Sequence, residues 1–196
     1  PLSLVGSEMC IRDSLLSYQK IIKKDSSLAG PYYNKGIILK RNGRIEEAID
    51  SYKKAISLKP DYVQAYNNLG VLYKDHEEYE NAIKMFKKAT ELQPDHQNGY
   101  YNLALIKKEQ GRFEEAVGLL LKVLDLNPEH SEAKYNIAIL KKDTGSIKEA
   151  KKYLQEILKS NKSNEDAITS LASILFESGN LKSAISFLKK VTKTNS

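Results

Sequence analysis

The chain has no tryptophan, one cysteine (Cys10) and three histidines, and its basic residues are nearly all lysine, with arginine only at 12, 41, 44 and 112. Each scarcity removes a class of function. A lone cysteine excludes a disulfide framework and a thiolate metal cluster. Such cysteine usage suits a reducing compartment and predicts a cytoplasmic location. His76, His96 and His130 form no i, i+4 pair and stand in no carboxylate–histidine cluster, so no metal site is expected and all three are predicted as solvated turn residues. No glycine-rich phosphate loop is present, and no cofactor is expected. No apolar run approaches the roughly 18 residues of a membrane span. The most apolar stretch, Val117 to Leu126, is broken by Lys122 and Asp125. Lys+Arg 31 against Asp+Glu 25 leaves a net +6, which is mild. Scarce arginine gives little bidentate readout of bases or phosphates, so nucleic acid is excluded as a partner. Glu46–Glu47 and Glu114–Glu115 read as helix-start residues favoured by the dipole, and not as an acid–base pair. No catalytic residue is predicted.

What the chain does have is a period. Tyr66 to Pro94 reads YNNLGVLYKDHEEYENAIKMFKKATELQP, and a shift of 34 residues either way lands on Tyr32 to Pro60 and Tyr100 to Pro128. A period of this length marks a solenoid. Let Pro60, Pro94 and Pro128 stand at position 32 of each repeat. Position 8 is then Gly36, Gly70, Ala104, Ala138 and Ala172, and position 20 is Ala48, Ala82, Ala116, Ala150 and Ala184. Position 24 is Tyr52, Phe86, Leu120, Leu154 and Leu188. Positions 4, 7, 8 and 11 fall on one helical stripe, and 20, 24 and 27 on a second that faces it. Small residues at 8 and 20 let two backbones approach, and larger neighbours fill the remaining space. Gly43, Gly111, Gly145 and Gly179 stand at position 15, where the first helix reverses. The second repeat has Glu77 there, so its turn is expected to close differently. Asp61, Asp95 and Ser163 are predicted N-caps, with Asp61–Gln64 and Ser163–Asp166 as capping boxes.

This pattern resembles the tetratricopeptide repeat family. The repeat from 63 to 96 carries the resemblance most fully, in Tyr66, Leu69, Gly70, Tyr73, Tyr79, Ala82, Phe86, Ala89 and Pro94. The resemblance implies an all-α fold, a right-handed α-α superhelix (solenoid) of helix-turn-helix repeats. It covers residues 29–196 as five repeats: 29–62, 63–96, 97–130, 131–164 and 165–196. Residues 15–28 fit the second helix of a partial repeat. Residues 1–14, PLSLVGSEMCIRDS, fit no repeat position, and Glu8 to Ser14 resembles a translated sequencing-adapter end. They are expected to be non-native, with a degenerate N-terminal cap as the competing explanation. Neither end shows a polar capping helix, so the chain reads as a fragment whose uncapped ends allow self-association.

In this family the outer face of the first helices forms a concave groove. Its occupants here recur in register. Position 6 is Asn34, Asn68, Asn102 and Asn136; position 5 is Tyr33, Asn67, Tyr101 and Tyr135; position 12 is Lys40, Lys74, Lys108 and Lys142. Position 9 is Ile37, Val71, Leu105 and Ile139. A carboxamide can both donate to and accept from an extended backbone, so these residues are the candidate peptide-binding set. Similar asparagine ladders line the repeats of the O-linked N-acetylglucosamine transferases. The lysine row favours an acidic peptide. The competing explanation is that Asn at 6 bonds the neighbouring repeat and Lys at 12 is a solvated helix end. The carboxylate clamp of chaperone-binding repeats is not matched, because only Asn68 fits it. The expected function is a protein- or peptide-binding scaffold. The alternative is a non-catalytic recognition arm of a larger glycosyltransferase or sulfotransferase.

Overall fold

The structure, a computed structural model, describes the backbone of residues 2–194 and the side chains of residues 12–191. The described residues are all helix and turn. The helices are α1 (Leu2–Lys24), α2 (Ala29–Arg41), α3 (Ile45–Leu58), α4 (Val63–Asp75), α5 (Tyr79–Leu92), α6 (Gln97–Glu109), α7 (Phe113–Leu126), α8 (Ser131–Asp143), α9 (Ile147–Ser160), α10 (Glu165–Glu177) and α11 (Leu181–Thr194). From α2 onward a shorter first helix alternates with a second, and the first helices begin at Ala29, Val63, Gln97, Ser131 and Glu165. The chain divides into two compact units, residues 1–106 and 107–196.

In the first unit each helix pair closes on a small residue facing a ring. An added Cβ on Gly36 would lie 2.7 Å from Tyr52 Cε1, and one on Gly70 would lie 2.7 Å from Phe86 Cε1. Both rings are fully buried, at 1% and 0% exposure. Successive pairs close on position 3, whose significance the sequence pattern had not disclosed. Ala65 and Gly99 are buried there, and an added Cβ on Gly99 would lie 2.6 Å from Thr90 Cγ2. In the second unit Ala138, Ala150, Leu154, Ile157, Ala167, Leu171 and Ile174 form one apolar cluster. Ala133 and Ala167 hold position 3 there, both at 0% exposure.

Two local expectations are corrected. The Glu77 turn does not close differently. Glu77 has φ 60, beside φ 70, 72, 81 and 75 at Gly43, Gly111, Gly145 and Gly179. Its bonds copy theirs: Glu78 N donates to Tyr73 O (2.8 Å) and Glu77 N to Lys74 O (2.9 Å), as Arg44 N does to Leu39 O (3.0 Å) and Gly43 N to Lys40 O (3.1 Å). The paired carbonyls of the helix end hold a non-glycine residue in the left-handed region. The predicted caps do not form as expected: the cap of α10 is one residue later than Ser163, and His130, for which no cap was predicted, caps α8. Asn164 Oδ1 accepts from Ala167 N at 2.8 Å, and His130 Nδ1 accepts from Ala133 N at 3.3 Å. Ser163 N instead donates to Asn161 Oδ1 at 3.1 Å. The residue before α4 is Tyr62, with no side-chain cap, so Asp61 caps nothing; α6 starts two residues past Asp95.

The helix α1, Leu2–Lys24, runs from the segment read as non-native into most of the segment read as a partial repeat. The side chain of Cys10 lies outside the described residues.

Candidate functional site

The candidate residues of the first unit stand on α2, α4 and α6, all half-buried. Their register follows from the 34-residue spacing of these helices, which brings position 6 of one repeat beside position 5 of the one before. Asn68 Nδ2 donates to the Tyr33 hydroxyl at 3.2 Å. Asn102 Nδ2 donates to Asn67 Oδ1 at a long 3.5 Å. The Tyr33 ring lies 4.8 Å from that of Tyr62 and 5.9 Å from that of Tyr52. Burial pushes the Tyr52 phenol up to about 12, with Tyr33 adding to the rise, so Tyr52 is a neutral core residue. Asn34 has no hydrogen-bond partner among the described residues. Lys40 and Lys74 flank a shared carboxylate, Asp75, at 3.7 and 3.4 Å.

The second unit repeats the arrangement with other side chains. The Tyr135 hydroxyl and Ser170 Oγ are 3.2 Å apart, again position 5 to position 6. Asn136 is 9% exposed; its Oδ1 accepts from Lys108 Nζ at 2.9 Å, and its Nδ2 donates to Glu132 O at 2.9 Å. Lys142 Nζ reaches Glu177 Oε1 at 2.9 Å and Ser173 Oγ at 3.4 Å. Ser173 Oγ also donates to Glu177 Oε1 at 2.7 Å. That bond, followed by the one from Lys142, holds the Glu177 carboxyl below its ordinary value. Tyr101 lies half-buried on α6.

Most of the polar rows is thus engaged within the chain, Asn34 excepted. Asn68, Asn102 and Asn136 spend amide hydrogens on protein acceptors, and Lys40 and Lys142 reach acidic residues at position 13 of the next repeat. The bonding of position 6 to the neighbouring repeat is the competing explanation given above, and the sequence carries it as an offset of 35, from Tyr33 to Asn68 and from Lys40 to Asp75. Half-buried like the asparagines of the first unit, the apolar residues Ile37, Val71 and Leu105 stand in register on the first helices of that unit; in the second unit Ile139 and Ser173 hold this position.

The histidines are not alike. His76 is exposed, as expected. His96 is half-buried, and its Nε2 is buried with no hydrogen-bond partner. Burial pulls its pKa below the ordinary value, against a smaller opposite pull from Asp95. His130 caps α8. Among the described residues no group of three His, Cys, Asp or Glu side chains is placed to hold a metal ion. No helix there is long and apolar enough to cross a membrane.

Family models place the chain. Models described as TPR repeat and tetratricopeptide repeat match residues 36–76, 63–96, 85–118, 108–163 and 142–196. The chain belongs to the tetratricopeptide repeat family. No curated protein matches it in sequence. Several solved structures share the fold. A Pseudomonas aeruginosa pilF structure is 17% identical, with TM-score 0.80 over 96% of this chain and 86% of that one. YrrB, titled a TPR protein with an unusual peptide-binding site, is 23% identical, with TM-score 0.71 over 90% of this chain and 91% of its own. MamA is 22% identical, with TM-score 0.73 over 82% and 94%. The helical-repeat fold follows from these likenesses, and family and fold together support a protein-interaction scaffold.

Proposed function

We propose that the first-helix face of the first unit binds an extended protein segment. The observation that carries this is the half-buried row Ile37, Val71 and Leu105, flanked by polar side chains that the protein's own bonds hold in place. Apolar side chains in a fixed register supply contact area. The engaged asparagines and lysines hold that register. A fixed face binds with less ordering cost than a mobile one. YrrB, a protein of this fold, is described as having an unusual peptide-binding site, which supports this reading. The partner is a protein or peptide, of acidic character if the lysine row contributes.

Panning a displayed library of unstructured peptides against the chain tests this. Enriched peptides should lose binding to Val71→Glu with Ile37→Glu and keep binding to Lys84→Glu, an exposed position on a second helix. Enrichment insensitive to the first pair contradicts the reading. We also propose that residues 1–14 are non-native. Sequencing the locus without transposon libraries should replace the codons for Met9 to Asp13; recovering them overturns it.

A further inference from the structure

The second helix of the third repeat, α7, departs from the chain's own pattern. Position 25 is Lys53, Lys87, Gln155 and Lys189 in the other repeats and Leu121 in α7. Position 22 is Asp50, Lys84, Lys152 and Ser186 in the others and Gly118 in α7. Leu121 is 41% exposed. It stands one turn beyond Val117 and two beyond Phe113, so the three form one stripe, with Glu114 and Gly118 along its outer side. Glycine is disfavoured inside a helix, and an added Cβ on Gly118 would meet nothing within 4 Å. Packing within the chain therefore does not require it, and it leaves the α7 backbone open to close approach.

The helix that follows leaves part of this stripe uncovered. Position 11 is Leu39, Tyr73, Lys107, Lys141 and Leu175. Where it is Tyr73, the ring is 9% exposed, and Lys53 at position 25 of the repeat before stands over it, 6.0 Å from the centroid. Where it is Leu175, the side chain packs on the core cluster of α8, α9 and α10. In α8 the place falls to Lys141, whose ammonium turns to Glu149 of its own repeat at 2.8 Å. A groove of about 320 Å³ remains, lined by Phe113, Glu114 and Val117 of α7, by Leu140 and Lys141 of α8, and by Thr144 after it. All lie in the second unit. The groove is at the small end of the roughly 300–1,000 Å³ of ligand pockets, which suits one side chain better than a helix. Glu114 at its mouth is exposed and makes no ion pair or hydrogen bond among the described residues, whereas Glu115 is held by Arg112 and Lys107.

We propose that this groove receives an aromatic side chain from an extended segment of a protein partner, with a basic residue beside it. The ring takes the place against α7 that Tyr73 takes against α3, and the Lys141 stem lies along it. The basic neighbour faces Glu114, whose free carboxylate selects the sign of the partner's charge. The open backbone at Gly118 lets the segment lie close to α7. This surface belongs to α7 and α8 of the second unit, so the proposal stands independently of the first-helix face of the first unit.

The probe is acetyl-Lys-Tyr-Lys-amide, titrated into the full isotope-labelled chain and followed by NMR. Saturable shifts are expected at the amides of Val117, Gly118 and Leu121. Acetyl-Lys-Ala-Lys-amide, which lacks the ring, should bind at least about tenfold more weakly. Acetyl-Glu-Tyr-Glu-amide, which reverses the charge, should bind at least about threefold more weakly at low salt. Lys141→Tyr puts a ring of the chain's own into the groove, and should abolish binding while melting at or above the wild-type temperature. Glu114→Lys, at an exposed position, should fold as wild type and weaken the basic probe at least about threefold. Unchanged binding in both variants, equal binding by the peptide without a ring, or no saturable shift in α7 and α8 overturns the proposal. So do saturable shifts confined to the amides of Ile37 and Val71, which would place the probe on the first-helix face instead.

Discussion

The side-chain amide of Asn68 donates to the Tyr33 hydroxyl at 3.2 Å, across 35 residues of sequence and from one repeat to the one before it. One carboxamide therefore ties α4 to α2 of the repeat before it. Removing it leaves the half-buried Tyr33 hydroxyl without this donor, at about 0.5–1.5 kcal/mol. Asn68→Ala should lower the urea midpoint by that amount while helicity at 25 °C is kept. Asn34→Ala, where no such partner exists, should stay within about 0.5 kcal/mol of wild type. Equal effects of the two changes would show that the Asn68 bonds carry no stability.

Position 8 and position 24 match in size. Glycine faces an aromatic ring at Gly36–Tyr52 and Gly70–Phe86, and alanine shares a cluster with leucine at Ala138 and Leu154. Gly70→Ala should cost about 1–3 kcal/mol by overpacking against Phe86. Adding Phe86→Leu should recover part of that loss, giving a coupling of at least about 1 kcal/mol in a double-mutant cycle. Additive losses would place the strain elsewhere.

Glu77 adopts the left-handed backbone that glycine supplies in four sister turns. A side chain there costs about 1–2 kcal/mol, partly offset by the greater chain freedom of glycine when unfolded. Glu77→Gly should therefore raise stability by roughly 0.5–1 kcal/mol, seen as a higher melting temperature. An unchanged or lower value would mean that the Glu77 side chain makes a compensating contact.

His96 makes stability depend on pH in a stated direction. Burial lowers its folded pKa below the ordinary 6.5, so the unfolded chain takes up the proton first. Its contribution is complete above about pH 6.5 and declines as pH falls through that value toward the lower folded pKa. The melting temperature should drop between about pH 7.5 and 5.5, and His96→Gln should flatten that drop. An identical slope in the variant would remove His96 as its source.

Much of the fold could be read from sequence because packing chemistry repeats. Gly70, Ala82, Phe86 and Ala89 sit in the core as their spacing required, and the helix pairs follow the period. For the asparagine row the sequence left two explanations open, and Asn68, Asn102 and Asn136 make the bonds within the chain that the second one named. The partners of Asn68, Lys40 and Asn136 lie 35, 35 and 28 residues away, and only the stacking of repeats identifies them. Position 3 was missed for the same reason, since its small residues serve the neighbouring repeat. Glu77 was misread because composition names the usual residue of a turn and not the bonds that hold it.

The central claim is that the apolar row of the first helices is the contact surface for an extended segment. Calorimetric titration of a library-selected peptide into wild type, Val71→Glu and Lys84→Glu tests it most directly. The account predicts at least about a tenfold loss of affinity in Val71→Glu and none in Lys84→Glu, with both variants melting near wild type. Equal affinity for all three proteins would contradict it.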